Sequence, residues 1–138
     1  MVNFEDLSVL VIDDSKFIRD TVRRILRSVG VSKIRMAPNG MVGLKMVSQD
    51  RFDVVLCDLS MEPINGMRFV EFLRKHENPK LRGLPVIILT MHNEQEIVRK
   101  AIEQGIDGYL LKPVSIKSIK QRIEQVLDGE APAQPATA

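Results

Sequence analysis

Five short apolar runs, separated by segments of helical period, constrain this chain more than any other feature. The runs fall at residues 9–12, 34–37, 54–58, 86–90 and 108–111, and they read as buried β-strands. After the first run, Ile18, Val22, Ile25, Leu26 and Val29 recur at i, i+4, i+7, i+8 and i+11, with Arg19, Arg23, Arg24 and Arg27 off that stripe. That pattern predicts an amphipathic helix packed on a sheet. Near the end, Ile116, Ile119, Ile123 and Val126 form a second stripe, with Lys117, Lys120, Gln121 and Glu124 outside it. Further helices are expected over 40–48, 66–76 and 94–104. Ser15 and Asn39 are suited to cap helix starts, Gly30 and Gly105 follow helix ends, and Pro85 opens a strand. Strands alternating with helices imply βαβ units and a parallel sheet covered on both faces. Runs that are apolar throughout are what burial on both faces requires.

At 138 residues with 44% apolar and 28% charged side chains, the chain has the composition of one globular domain. The domain is expected within residues 1–128. Residues 129–138, in "DGEAPAQPATA", lack large apolar groups and are expected to form a disordered tail. No apolar run approaches the roughly 20 residues that span a bilayer, and the start lacks a basic segment followed by an apolar one. A cytoplasmic protein without membrane contact is therefore expected. Twenty basic and 18 acidic residues nearly balance, and aromatic residues make up 4%, so direct nucleic-acid binding is not expected. Cys57, the one cysteine, cannot form an internal disulfide and reads as a small buried apolar group.

The ends of the runs carry the chemistry. The first delivers Asp13 and Asp14, "DVVLCD" ends in Asp58, "VIILT" ends in Thr90, and "GYLLKP" brings Lys112. In an open parallel sheet these ends share one rim, where ligands bind. Adjacent ionised carboxylates repel and are costly to desolvate unless a cation compensates. Three carboxylates with no matching His or Cys ligands suit a hard cation, most simply Mg2+. A phosphoryl group on Asp58 would need a cation and a hydroxyl donor for its free oxygens, which Lys112 and Thr90 supply. Taken singly, an Asp pair is a loop or cap feature, a lysine before proline is solvated, and a strand-end threonine is a β-former. Their joint position points to a site.

The motifs "VIDDS", "VVLCDLSMEPINGM", "PVIILT" and "GYLLKP" resemble the receiver domain of two-component response regulators, over about residues 7–127, and in particular the single-domain regulators of chemotaxis. The resemblance implies a flavodoxin-like three-layer (βα)5 sandwich with strand order 2-1-3-4-5. It implies that Asp58 accepts a phosphoryl group from a sensor histidine kinase or phosphotransfer protein. Asp14 would bind Mg2+ directly, Asp13 mainly through water, and the Ser60 carbonyl would complete the protein's share of the shell. Thr90 and Lys112 would hold the phosphoryl oxygens, and the Lys112–Pro113 bond would be cis. Tyr109 would be the switch, its ring moving from an exposed to an inward position. The output would be a change in binding to a separate, unidentified protein through a face exposing Gln95, Arg99, Glu103, Lys117 and Lys120. Such a chain is a phosphoacceptor signalling protein that catalyses only its own phosphorylation and dephosphorylation, as a monomer or weak dimer.

Two positions depart from the family pattern. Glu62 stands where proline is usual, with Pro63 one step later, so the loop after Asp58 is expected to differ in shape; His92 stands two residues past Thr90, where an acid is common. His92 either tunes the phosphoryl lifetime or is a solvated loop residue. Phe17 and Ile18 are either part of a kinase-docking surface or partly core. The alternative function is an Mg2+-dependent phosphohydrolase that also forms an aspartyl-phosphate. Such enzymes carry a second aspartate two residues after the nucleophile, where this chain has Ser60; a nucleotide-binding module is not expected either, because no Gly-rich phosphate loop follows the first strand.

Overall fold

The computed structural model describes residues 2–91 and 95–129. A 3-10 turn at Phe4–Asp6 leads into β1 (Ser8–Ile12), α1 (Lys16–Val29), β2 (Lys33–Ala37), α2 (Gly40–Gln49) and β3 (Val54–Asp58). Then follow α3 (Gly66–Arg74), a short α4 (Pro79–Arg82), β4 (Val86–Thr90), α5 (Gln95–Gln104), β5 (Gly108–Leu111) and α6 (Ile116–Leu127). All pairings in the sheet are parallel, and the order is β2-β1-β3-β4-β5. This is the expected flavodoxin-like sandwich.

Strand alternation divides the core in two. Leu10, Ile12, Val55, Cys57, Val86 and Ile88 pack with Val47, Phe69, Val70, Leu73, Val98 and Ala101 from α2, α3 and α5. Val9, Val11, Val54, Leu56, Ile87 and Leu89 pack with Val22, Leu26, Ile119, Ile123 and Val126 from α1 and α6. Residues on opposite faces of one strand thus belong to opposite layers, as the two-residue period of a strand demands. Ser15 accepts a hydrogen bond from the Ile18 N–H and Asn39 one from the Val42 N–H, which caps α1 and α2 as expected. Gly30 ends α1 with φ 118°, a left-handed conformation that favours glycine.

Several expectations need correction. β2 begins at Lys33 and alternates exposed and partly buried residues instead of being apolar throughout, because it is an edge strand. Ile116 is 51% exposed: it is the first residue of α6, and the buried stripe of that helix starts at Ile119. α3 stops at Arg74, two residues early, and α4 follows where no helix was expected. Asn78 caps α4, and Pro79 has its φ pre-set for the first helical turn. The expected start of the helix at residue 94 and the tail at 130–138 lie outside the described residues.

Arg74 ties the end of the sheet opposite the acidic strand ends. Its Nε donates to the Gly105 carbonyl at 2.9 Å, Nη1 to the Leu84 and Arg82 carbonyls at 2.8 and 3.0 Å, and Nη2 to Asp107 at 2.7 Å. The same Asp107 oxygen accepts the Val86 N–H at 2.8 Å. Burial pushes the Arg74 guanidinium down against the field of Asp107, and pushes Asp107 up against the Val86 N–H and Arg74. For each group burial outweighs the gain from its partner, so the tie acts mainly by geometry. Arg74→Met, which strands Asp107 and three carbonyls, is expected to lower stability in urea unfolding by about 2 kcal/mol. Arg74→Lys should restore less than half of that loss, because an ammonium cannot match the fork.

Candidate functional site

Strand register builds the site. Ile12 pairs with Cys57, so Asp13 and Asp58 stand level at the ends of adjacent strands. Asp58 pairs with Leu89, which sets Thr90 one step further along β4, and the Lys112 N–H donates to the Thr90 carbonyl at 2.8 Å just past β5. Asp13, Asp58 and Thr90 are 0%, 5% and 3% exposed, whereas Asp14 faces solvent. Oxygens of Asp13, Asp14 and Asp58 lie within 4.8 Å of one another. The Lys112 ammonium reaches between two of them, 3.1 Å from Asp13 Oδ2 and 3.1 Å from Asp58 Oδ1.

Backbone groups fix the acids further. Asp13 Oδ1 accepts the Ser15 N–H at 2.9 Å, and Asp58 Oδ1 accepts the Ser60 N–H at 3.3 Å. Gly66, which opens α3, packs so closely that a Cβ there would lie 2.5 Å from the Asp58 carbonyl oxygen. Three carboxylates against one ammonium leave the cluster net negative, and its side-chain donors are all oxygens. That set fits a hard divalent cation.

The sequence matches the response regulator receiver domain over residues 9–124. The chain belongs to that family. Receiver domains take phosphoryl groups from sensor histidine kinases and bind Mg2+ at an acidic site. Among curated relatives, this receiver is 27% identical to the chemotaxis protein CheY-3 of Vibrio cholerae serotype O1 over 124 residues, 90% of this chain and 94% of that one. It is 32% identical over 125 residues to the transcriptional regulatory protein GlrR of Escherichia coli, covering 91% of this chain but 27% of that protein. Among solved structures, the chemotaxis protein CheY4 of Vibrio cholerae superposes with a TM-score of 0.80 at 28% identity, over 87% of this chain and 98% of that one.

The receiver gathers Asp13, Asp14, Asp58 and Lys112 as the sequence led one to expect, with Thr90 beside them and Ser60 exposed next to Asp58. Tyr109 differs from expectation. Its ring is 4% exposed and already inward, because the face of β5 that bears it is covered by α5 and it joins the cluster of Ile88, Val98 and Ala101. Tyr109 pairs with Ile88 and Thr90 with Leu111, so Tyr109 and Thr90 share one face of adjacent strands. Arg122 of α6 sits 5.6 Å from the Tyr109 ring centroid. Gln95, Arg99, Glu103, Lys117 and Lys120 are all exposed. Phe17 is 75% exposed, whereas Ile18 packs against the α1–α6 layer. His92 lies outside the described residues.

Both Lys112–Pro113 and Glu62–Pro63 are cis. The loop at 61–64 borders a cleft of about 530 Å³ whose lining includes Asp14, Ser60, Glu62, Met67, Ile97 and Lys100. One contact went unforeseen: Arg19 Nη1 donates to the Asp13 carbonyl at 2.7 Å and braces the turn that carries the acid pair. By sequence Arg19 stands off the apolar stripe with the other arginines, but three residues before Val22 and seven before Leu26 it falls beside that stripe and is half-buried.

Burial raises Asp58 above the ordinary carboxylate range, with the charge of Asp13 adding and Lys112 and the Ser60 N–H opposing. Burial pulls Lys112 down, but its hydrogen bond to Asp13 and the fields of Asp13 and Asp58 outweigh it, and the net shift is upward. Burial, then Asp58 and Asp13, push the Cys57 thiol well above its usual value, which keeps it inert. The signs set the pH behaviour of the metal-free protein. The Lys112 pairing contributes fully below the ordinary lysine value of 10.5 and is lost as pH rises through the elevated one. An acid with a raised folded value favours folding below its unfolded value and costs stability as pH rises through the folded one. In EDTA at neutral pH, Asp58→Asn should therefore be more stable than wild type by on the order of 1 kcal/mol. In thermal melts this gap should close below pH 3.8, the ordinary carboxylate value.

Proposed function

We propose that this receiver, within residues 1–128, accepts a phosphoryl group on Asp58 from a histidine kinase or phosphotransfer protein in the cytoplasm. Phosphorylation then alters its binding to a separate protein. The observation that carries the reading is the Lys112 ammonium held between two buried carboxylates. An Asp58 oxygen forms the new P–O bond as the P–N bond of the donor phosphohistidine breaks, and the electron pair stays on the imidazole. Lys112 is placed to offset the added negative charge and the Thr90 hydroxyl to donate to a phosphoryl oxygen. Asp13, Asp14, Asp58 and the Ser60 carbonyl would hold Mg2+. Bound there, the ion would supply charge neutralisation between the acids and the phosphoryl oxygens.

Thr90 and Tyr109, on one strand face under α5, are the route by which the change reaches the face of α5, β5 and α6. Drawing the Thr90 hydroxyl toward the phosphoryl oxygens alters the packing beside the inward Tyr109 ring. A switch from 1:99 to 99:1 takes about 5.5 kcal/mol of differential stabilisation, so contacts supplying less give partial switching. The phosphohydrolase reading is weaker, because Ser60 offers no carboxylate as general acid.

Wild type with phosphoramidate and Mg2+ should gain one phosphoryl group by intact mass. EDTA should abolish the gain, and Asp58→Ala should show none. A phosphorylated Asp58→Ala protein means that the acceptor lies elsewhere.

A further inference from the structure

Arg122 crosses an edge of the sheet. It belongs to α6, whose buried residues Ile119, Ile123 and Val126 lie in the layer shared with α1. Its guanidinium carbon nevertheless sits 5.6 Å from the centroid of the Tyr109 ring, which packs in the other layer, under α5. β5 is an edge strand, and Gly108 leaves room for the crossing. Gly108 pairs with Ile87 and shares its face, towards α6, whereas Tyr109 points the other way. A Cβ on Gly108 would lie 3.0 Å from Arg122 Cδ and 3.4 Å from Cγ, so the Arg122 stem lies over bare backbone there and its head rounds β5 to the ring. Nη1 donates to Gln125 Oε1 at 2.9 Å, which steadies the guanidinium from its own helix. Nε is buried and has no hydrogen-bond partner among the described residues. A buried N–H without an acceptor is costly, so this placement needs a compensating attraction. The face of a tyrosine ring offers one to a cation.

We infer that Arg122 is a positioning residue for Tyr109: its charge, set over the ring from α6, holds the ring inward before any phosphoryl group is present. The consequence for signalling rests on the route from Thr90 to Tyr109 given above. Ile88, Val98 and Ala101 back the ring from within its own layer, and Arg122 reaches it from across the strand edge. A cation–ring contact of this kind moves the balance between inward and exposed rings by roughly two- to thirtyfold. Contacts made at Thr90 by a phosphoryl group therefore start from a balance that Arg122 has already shifted.

Tyr109 is the one tyrosine of the chain, which has no tryptophan, so intrinsic fluorescence reports that ring alone. The experiment measures its quenching by acrylamide, a neutral quencher that is indifferent to the charge of the residue replaced. Wild type, Arg122→Lys and Arg122→Met are compared in EDTA, each well below its melting temperature as checked by far-UV circular dichroism. Lysine and methionine are close in length and both keep a stem over Gly108, so this pair isolates the charge. The quenching rate constant should rise about threefold or more from wild type to Arg122→Met, with Arg122→Lys nearer to wild type. Equal quenching in wild type and Arg122→Met overturns the inference. So does Arg122→Lys quenched as fast as Arg122→Met, since bulk and not charge then covers the ring. With Mg2+ and beryllofluoride, a phosphoryl mimic, the ring of Arg122→Met should become protected again while wild type changes little. If the mimic binds Arg122→Met, as seen by fluorine NMR, and leaves its quenching unchanged, the Thr90 route is overturned and the Arg122 contact stands.

Discussion

The ammonium of Lys112 sits 3.1 Å from each of two buried carboxylates, and much of the structure serves to bring it there. Asp13 and Asp58 end adjacent strands, but Lys112 follows β5, two strands from β3 and three from β1. With strands about 4.8 Å apart, the backbone after β5 is on the order of 10 Å from that of β3. Only a long cationic side chain leaning over β4 bridges that gap. Thr90, at the end of the intervening β4, lies along the path, and its carbonyl accepts the Lys112 N–H. The sheet order, fixed by apolar strands with no chemistry of their own, is what lets one lysine meet both acids.

In β3 and β4, polar groups are kept to the ends of the strands. Between them, β3 and β4 are buried along their whole length. At one end the acids and Lys112 form a site whose charge is not balanced. At the other, Arg74 satisfies three carbonyls, two at the end of α4 and just after it and one in the Gly105 turn that follows α5, which it pins. The α5 layer is thus held at one end and bordered near the other by the cleft at Ile97 and Lys100. Thr90 and Tyr109 share the face of β4 and β5 that lies against α5, which joins the acidic end of the sheet to that layer.

The fold was legible because strand runs, helical stripes and caps agreed at each boundary, the consistency expected of a sequence that specifies one structure. The site was legible for a related reason. Short motifs at strand ends become neighbours once the sheet is parallel, so "VIDDS", "VVLCD" and "GYLLKP" carry the geometry. What stayed hidden depended on three-dimensional position. The exposure of Ile116 reflects where α6 begins relative to the sheet, and a stripe drawn on a helical wheel does not show that. The open alternation of β2 follows from its edge position. The contact of Arg19 and three of the contacts of Arg74 are to backbone carbonyls, and a carbonyl acceptor leaves no mark on residue type. Tyr109 was placed on the correct strand, but its inward ring depends on how α5 covers β5.

Net charge alone would have hidden the most distinctive surface. A value of +2 in 138 residues suggests indifference to charged partners, yet it is a sum of opposed regions. The strand ends form an acidic pole that disfavours any approaching phosphate until cations are in place. The α1 flank is basic, and Arg24 and Arg27, two to three helical turns from Phe17, lie roughly 10 to 15 Å further along the axis. That distance is comparable to the Debye length of about 8 to 10 Å in physiological salt, so the two fields act nearly separately on a partner.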